Sequence, residues 1–114
     1  MKFKLKKKPR KFEVGLFKKI FLKDVGNISL NDNELISFIT KDKKKYDIVK
    51  KDWGFYATPS TNYRLKKEGF RTAIVKNKFN RYFVMLVEKN KYSKFKSYCK
   101  LEKQTVIKWL DNGF

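Results

Sequence analysis

The sequence predicts an α+β fold, in which N-terminal short strands or a meander precede a β-α-β-β-α-β unit of the ferredoxin-like type. Three observations support this prediction. Strand-like and helix-like segments follow one another in that order between residues 53 and 110. Two of the strand-like segments are joined by a short turn, as in a hairpin. Aromatic residues form 17% of the chain, which supplies enough large apolar side chains for a packed interior.

The first half of this unit is marked by a helix start and a helix end. Residues 53–58 carry the aromatic side chains typical of a strand. The Thr-Pro-Ser sequence at residues 58–60 offers a hydroxyl cap and a proline near the first helical position. Gly69 is the residue type that most often follows a helix end. A short helix is therefore predicted before Gly69, and residues 71–76 are apolar enough to form the next strand.

The second half of the unit is predicted to be a hairpin followed by a basic helix and a last strand. Residues 77–80 supply the turn, and residues 81–88 give the strongest strand signal, with apolar side chains on both faces. Between residues 90 and 103, apolar side chains recur every three to four positions, the spacing of an amphipathic helix. These side chains are Tyr92, Phe95, Tyr98 and Cys99. Residues 105–110 return to strand-like composition.

The N-terminal half is predicted to contain an arm and a set of short strands. Residues 1–11 indicate a basic extended arm, because their like charges repel one another and need a partner to become ordered. Residues 12–50 favour short strands or a meander, with strand-like segments at 12–17, 20–23, 35–40 and 46–49. We expect one α+β domain over residues 12–114, with the split βαβ-like unit at 51–114. The meander or a partner must then cover the sheet face that the helices leave open.

The charge of the chain indicates a polyanionic partner. Thirty Lys and Arg residues stand against eleven Asp and Glu residues, a formal charge of +19 on 114 residues. Residues 1–11 contribute seven of the basic side chains, so both the arm and the body are basic. Only four of the thirty are Arg, which is typical of A/T-rich coding. Such coding explains the preference for Lys over Arg better than it explains the imbalance of sign, and both explanations remain open.

These features predict a non-enzymatic, basic RNA-binding protein, a component of a ribosome or another ribonucleoprotein, that contacts the phosphate backbone through Lys and Arg. The candidate nucleic-acid-binding residues are Lys2, Lys4, Lys6, Lys7, Lys8, Arg10, Lys11, Lys91, Lys94, Lys96, Lys100 and Lys103. Residues 79–86 lack the glycine and the aromatic alternation of an RNA-recognition motif. The chain has no apolar stretch long enough for a membrane span and no apolar N-terminal signal segment. We therefore expect a protein of the cytoplasm or an organelle matrix that is not secreted.

The most unusual stretch of the chain is residues 52–65, Asp-Trp-Gly-Phe-Tyr-Ala-Thr-Pro-Ser-Thr-Asn-Tyr-Arg-Leu. It resembles a segment of small, uncharacterised bacterial proteins, some of which are associated with surface-polysaccharide genes. The resemblance implies an alternative function, a small accessory or interaction protein for acidic partners that is linked to polysaccharide machinery. It implies no catalytic residue.

The same stretch contains a candidate anion site. A helix start exposes free backbone amides, so Thr58, Ser60, Thr61 and Arg64 are candidate ligands for a phosphate or carboxylate. In the alternative interpretation, which we favour from the sequence, the hydroxyls only cap the helix while Trp53, Phe55 and Tyr63 pack in the core.

Several classes of enzyme are disfavoured by the composition. The chain has no His, so Cys99 lacks an imidazole base, and its spacing indicates a small buried apolar residue instead. The acidic residues form no compact metal-ligand pattern, and no glycine-rich phosphate loop is present. A lone cysteine also excludes an internal disulfide. We therefore predict no enzymatic activity, no cofactor and no metal.

Overall fold

The fold is α+β, as predicted, and the computed structural model describes residues 1–112. Most strand-like segments identified in the sequence lie within strands of the structure. In chain order the elements are β1 (Lys2–Val14), β2 (Ile20–Ser29), β3 (Leu35–Ile39), β4 (Lys45–Lys51), β5 (Gly54–Ala57), α1 (Arg64–Lys67), β6 (Phe70–Lys76), β7 (Tyr82–Glu88), α2 (Tyr92–Leu101) and β8 (Thr105–Trp109). Short 3₁₀ turns occupy Lys89–Lys91 and Leu110–Asn112.

The chain divides into two compact units. Unit 1 contains Met1–Ser37 and Asp47–Thr58, and unit 2 contains Phe38–Tyr46 and the chain from Pro59 onward. The tip of the β3–β4 hairpin therefore belongs to unit 2, while its base belongs to unit 1. No change of composition in the sequence indicates that residues 38–46 belong to a different unit from the residues on either side of them.

Unit 1 contains a long two-stranded ribbon formed by β1 and β2. The strands pair antiparallel from Lys2 opposite Ser29 to Val14 opposite Ile20, with an irregularity between Leu5 and Arg10. The segment predicted as an extended arm is thus extended, but it is ordered by pairing with β2 rather than by an external partner. Pro9 lies inside the irregular stretch, where its missing N–H removes no regular ladder bond.

A second sheet has the strand order β3-β4-β5. Strands β4 and β5 pair antiparallel, from Ile48 opposite Ala57 to Lys51 opposite Gly54. Gly54 has a φ of +143°, a conformation that side chains rarely adopt, so glycine suits the tight connection between the two strands. Val49 on β4 is buried.

Unit 2 contains the third sheet, with the order β7-β6-β8 and both pairings antiparallel. The central strand β6 supplies most of the buried core. Ala73 and Val75 alternate on one of its faces and have no solvent exposure, because α2 contacts β7 and the aromatic rings of α2 contact Trp109 of β8. The other buried apolar side chains of this unit are Leu65, Phe70, Val87 and Cys99.

The ferredoxin-like arrangement is not confirmed, although the elements from β5 to β8 follow the predicted order. Strand β5 pairs with β4 in the second sheet, so the third sheet contains only three strands. Its strand β6 pairs with both β7 and β8, and both pairs are antiparallel, whereas a split βαβ unit requires parallel neighbours. The predicted hairpin of β6 and β7 is confirmed, but the order of elements along the chain did not predict how the other strands pair.

The predicted helix before Gly69 is present but short. It covers only Arg64–Lys67, with Tyr63 at its N-cap and no side-chain hydrogen bond at the cap. The start signal at residues 58–60 therefore lies one turn before the helix itself. Gly69 follows the helix with a φ of +94°, as expected of a glycine that ends a helix.

Candidate polyanion-binding surfaces

The β1–β2 ribbon has two different faces. Alternation along β2 places Ser29, Asn27, Val25, Lys23 and Phe21 on one face. Val25 lies at the irregularity, and the residues directly opposite the other four on β1 share this face. Those partners include three lysines. We call this the basic face and define it by Lys2, Lys4, Lys11, Lys23 and Phe21.

Within the basic face, Lys11 lies directly opposite Lys23. Like charges at directly opposed positions destabilise a strand pair, and both side chains are exposed. Neither forms an ion pair with any residue of the 1–112 range. An anionic partner would convert this repulsion into attraction.

The basic face also carries an exposed aromatic ring. Phe21 is 70% exposed, and its direct neighbour across the ribbon is Glu13, which lies 3.4 Å from the Nζ of Lys19. Lys23 follows two positions along the same strand face. Alternating cations and exposed aromatic rings are the combination that proteins use to bind single-stranded nucleic acid.

The opposite face of the ribbon is mainly apolar. Phe3, Leu5, Leu22 and Ile28 alternate along it and are all exposed. A contiguous apolar surface of this kind marks an interaction site in many soluble proteins.

Not every basic residue of the arm is available to a partner. The Nζ of Lys6 lies 2.5 Å from Oδ2 of Asp24. This contact is the largest cause of the lowered pKa of Asp24, and burial of the carboxylate opposes it. The guanidinium of Arg10 lies 3.9 Å from the same carboxylate and 4.6 Å from the ring centre of Phe12. Lys7 and Lys8 are exposed in the irregular stretch. Lys6 and, at a longer distance, Arg10 therefore have a competing internal partner in Asp24.

The predicted basic helix is α2, and its lysines fall into two groups. Lys91, just before the helix, lies 3.1 Å from the carboxylate of Glu88. Lys94, Lys96 and Lys100 are exposed on the helix. Lys96 and Lys100 line a shallow depression of about 350 Å³ with Ser93 and Ser97. Lys103 follows the helix, in the left-handed conformation with a φ of 52°.

The candidate anion residues at the start of α1 are held by local contacts. The backbone N–H of Thr58 donates to the carbonyl of Asp47, and the hydroxyl of Ser60 accepts from the N–H of Arg64. The hydroxyl of Thr61 donates to the carbonyl of Leu110 at 3.3 Å. A four-residue helix has a small dipole, so anion binding at these residues stays a prediction.

The expected packing of the unusual aromatic stretch is wrong. Trp53 is 68% exposed, and Phe55 and Tyr63 are also exposed, so these rings do not form a core. Trp53 and Tyr56 stack with their ring centres 6.0 Å apart and their planes 19° apart. The ammonium of Lys50 lies 5.9 Å from the ring of Phe55. Strand β5 is short and lies at the edge of its sheet, which leaves its side chains in solvent.

Unit 2 contains a pocket around Arg71 that the sequence analysis did not predict. It has a volume of about 420 Å³. We call it the Arg71 pocket and define it by Lys66, Phe70, Arg71, Lys89, Tyr92, Asp111 and Asn112. Arg71 was visible in the sequence only as one of four arginines, and Asp111 lies 40 residues further along the chain. No sequence signal joins residues at that separation.

Cys99 is buried, as predicted, and burial raises the pKa of its thiol. It lies on the inner side of α2, and a raised thiol pKa disfavours the reactive thiolate. Among residues 1–112, no three Cys, Asp or Glu side chains come together in a group that would hold a metal ion. In the same part of the chain no helix has both the length and the apolar character needed to span a membrane.

Comparison of the chain with protein-family models, with curated proteins and with solved structures finds no match.

Proposed function

We propose that this protein is a non-enzymatic RNA-binding protein and a component of a ribonucleoprotein such as the ribosome, acting in the cytoplasm or an organelle matrix. The observation that carries the proposal is the basic face of the β1–β2 ribbon, where Lys11 and Lys23 are opposed without an acidic partner between them. A phosphate placed between two such ammonium groups removes their repulsion and forms two charge-assisted contacts.

The shape of the ribbon supports binding to an extended polyanion. The shorter strand β2 has 10 residues, and at about 3.3 Å per residue the paired ribbon extends for roughly 33 Å. Lys2 and Lys4 lie near one end of the basic face, and Lys11 and Lys23 lie beyond the irregularity. Spaced cations along a ribbon match the spaced phosphates of a nucleic-acid strand better than they match a small anion.

The two faces of the ribbon support a place in an assembly. Phosphates would contact the basic face, whereas Phe3, Leu5 and Leu22 on the other face remain exposed. A two-stranded ribbon has little core of its own and is marginally stable alone. Burial of the apolar face by another component of a ribonucleoprotein would stabilise it.

The proposal is tested by charge substitution rather than by deletion, because loss of residues 1–11 would also remove the strand that pairs with β2. The ribbon variant replaces Lys2, Lys4, Lys11 and Lys23 by Gln. A matched control replaces Lys41, Lys43, Lys45 and Arg81 by Gln and lowers the net charge equally. Fluorescence anisotropy with a labelled single-stranded RNA measures both affinities.

We expect the ribbon variant to bind RNA about 100-fold more weakly near physiological salt, since each lost phosphate contact weakens binding by several-fold. The control variant should lose much less of its affinity for RNA. Equal losses in the two variants would show that only net charge matters and would overturn the role of the ribbon. Substitution of Lys94, Lys96 and Lys100 by Gln tests the second basic surface, on α2, in the same assay.

A second function is favoured by the exposed aromatic stretch. The stacked Trp53 and Tyr56, with Phe55 also exposed, present flat apolar surfaces of the kind on which sugar rings pack. An accessory protein for acidic partners, linked to bacterial surface-polysaccharide machinery, would use this surface. Titration with an acidic oligosaccharide, with wild type and with Trp53→Ala, distinguishes this function. It predicts saturable binding that is lost in the variant.

A further inference from the structure

The Arg71 pocket contains an arginine whose position is fixed from two sides. Its Nε donates to Oδ2 of Asp111 at 2.9 Å, and its guanidinium carbon lies 3.8 Å from the ring centre of Trp109. The ring of Tyr92 lies on it as well, at 5.6 Å. Asp111 is only 5% exposed, so the carboxylate that orients the guanidinium is itself held in the interior.

This arrangement leaves donors free for a ligand. Asp111 engages only Nε, and the two Nη groups of Arg71 make no hydrogen bond to any residue of the 1–112 range. A planar guanidinium with both Nη groups available is the side chain best suited to bidentate recognition of phosphate or carboxylate. Its orientation is set before a ligand arrives, which reduces the entropy lost on binding.

The charge of the pocket favours a dianion. Among residues 1–112, three cationic side chains, Lys66, Arg71 and Lys89, line it against the single carboxylate of Asp111. Since Asp111 is paired with Arg71, the charges of Lys66 and Lys89 are left uncompensated within the described chain. A phosphate monoester carries about −1.5 to −2 charges at pH 7, whereas a carboxylate carries only one.

The remaining lining residues are two aromatic side chains and Asn112. Phe70 and Tyr92 lie on the lining, and Tyr92 is also the first residue of α2, where the positive end of the helix dipole lies. A volume of about 420 Å³ is within the range of small-molecule sites, which bind flat apolar groups with a few polar contacts.

From these observations we infer that the Arg71 pocket binds a phosphate monoester attached to a planar ring, the chemistry of a nucleoside monophosphate. The phosphate is held by Lys66, Lys89 and the Nη groups of Arg71, and the ring lies against Phe70 and Tyr92. The same chemistry is offered by a free mononucleotide and by the 5′-phosphorylated end of an RNA chain. The inference does not depend on RNA binding by the ribbon.

Trp109 provides the readout, since its ring lies on the guanidinium of Arg71. A Trp53→Phe background removes the other tryptophan, which is in unit 1. The protein is titrated with AMP, with adenosine, and with a short RNA bearing either a 5′-phosphate or a 5′-hydroxyl. A saturable change in Trp109 fluorescence is expected with AMP, with 5′-phosphorylated RNA or with both, and adenosine and 5′-hydroxyl RNA should bind at least tenfold more weakly.

Substitution then assigns the contacts. Lys66→Gln combined with Lys89→Gln should weaken the affinity for the phosphate ligand by about 10- to 100-fold, since each substitution removes a hydrogen bond to a charged group. Arg71→Lys keeps the charge but removes the two Nη groups, and it should weaken binding by at least tenfold. Lys41→Gln combined with Lys43→Gln, which makes the same charge change outside the pocket, should have little effect.

The outcomes distinguish a free nucleotide from an RNA end as the ligand, and failure of the pocket inference from failure of the ribbon proposal. A response to AMP alone identifies a free nucleotide, and a response to 5′-phosphorylated RNA alone identifies an RNA end. Equal binding of AMP and adenosine, unchanged binding in the Lys66→Gln, Lys89→Gln variant, or no response to any phosphate would overturn the inference. Because the ribbon variant keeps the whole pocket, it should bind AMP normally, so failure of the pocket and failure of the ribbon give different results.

Discussion

The guanidinium of Arg71 lies between the carboxylate of Asp111, at 2.9 Å from Nε, and the indole ring of Trp109, at 3.8 Å. The two contacts of the guanidinium join three elements of unit 2. Arg71 is on β6, Trp109 is the last residue of β8, and Asp111 is in the 3₁₀ turn that follows β8. Tyr92 and Phe95 of α2 pack on the same indole, each with ring centres 5.8 Å apart. One side chain therefore fixes both the end of the sheet and one wall of the pocket.

Removal of one partner of this pair should destabilise unit 2. Asp111→Ala leaves the partly buried Arg71 without its carboxylate, and Arg71→Ala leaves Asp111 buried and uncompensated. Loss of one partner of a buried pair costs roughly 3 to 5 kcal/mol, and the 23% exposure of Arg71 lowers our expectation to about 2 to 4 kcal/mol. Urea unfolding followed by Trp109 fluorescence in the Trp53→Phe background measures the change.

The double variant tests whether the two residues act through each other. We expect it to be less destabilised than the sum of the single variants, by about 1 to 3 kcal/mol. Arg81→Gln removes an exposed cation that forms no ion pair with residues 1–112, and it serves as the control, with a change within about 0.5 kcal/mol. Strictly additive effects of Arg71→Ala and Asp111→Ala would contradict the coupling.

The close approach of the ribbon strands at Gly26 gives a second prediction. A Cβ at this position would lie 2.4 Å from the backbone oxygen of Lys4, so Gly26→Ala forces the two strands apart. Overpacking of this kind typically costs about 1 to 3 kcal/mol. Hydrogen exchange of the β1 amides should become faster in Gly26→Ala.

The neighbouring substitution Asn27→Ala provides the comparison for Gly26→Ala. It changes an exposed residue on the basic face without a backbone clash, so the exchange of β1 should stay as in wild type. Unchanged protection of β1 in Gly26→Ala would show that the ribbon tolerates the added methyl group and would contradict the close approach.

The tip of the β3–β4 hairpin should respond to acid. The hydroxyl of Thr40 donates to Asp42, and Lys44 pairs with the same carboxylate, and these contacts lower the pKa of Asp42 from 3.8 to about 2. Because the folded pKa lies below the unfolded value, the contribution of Asp42 is present above pH 4 and is lost as the pH falls toward 2. The pairing with Asp42 is also the largest cause of a raised pKa at Lys44, to which the contact with Glu88 adds while burial opposes it.

Thr40→Ala removes the largest cause of the lowered pKa of Asp42. NMR titration of the side-chain carboxyl should therefore give a pKa for Asp42 that moves from about 2 toward 3.8 in this variant. Asp52→Asn, which removes a carboxylate without a hydrogen bond or ion pair in residues 1–112, should leave the titration of Asp42 unchanged. An ordinary pKa for Asp42 in the wild type would contradict the hairpin geometry.

Cys99 should be protected from alkylation in the folded protein. It is buried on the inner side of α2, and burial raises the pKa of its thiol. Both the access of a reagent to the sulfur and the fraction of thiolate are therefore low. Iodoacetamide labelling near pH 8 should be slow in the native state and at least tenfold faster in urea. Equally fast labelling in both states would contradict the packing of α2.

Local signals in the sequence predicted positions of strands and turns well. The turn at residues 77–80 is made by Asn77, whose side chain accepts from the N–H groups of Phe79 and Arg81, and Asn80 has a positive φ. The apolar spacing of α2 predicted its inner side in part, since Phe95 is half-buried and Cys99 is buried, whereas Tyr92 and Tyr98 are exposed. These features depend on neighbours within a few residues.

Features that depend on distant partners were not predictable in this way. The segment 1–11 begins with a strand-like alternation from Lys2 to Lys6, but its like charges and Pro9 favoured an unpaired arm, whereas pairing with β2 orders it as a strand. Strand β2 extends to Ser29, six residues beyond the predicted end at residue 23, because β1 pairs along its whole length. Trp53 and Phe55 have core-like composition, but the edge position of β5 leaves them in solvent. The Arg71 pocket requires residues from both ends of unit 2.

The most direct test of the account is the salt dependence of RNA binding by the wild-type protein and by the Lys2, Lys4, Lys11, Lys23→Gln variant. If the basic face contacts phosphates, the logarithm of the association constant should fall steeply with the logarithm of salt concentration in the wild type. The variant should have a slope smaller in magnitude by about 3, since each single-strand phosphate contact contributes about 0.7. A wild-type affinity that barely changes with salt, or an identical slope in the variant, would contradict the proposal that the β1–β2 ribbon binds RNA through its lysines.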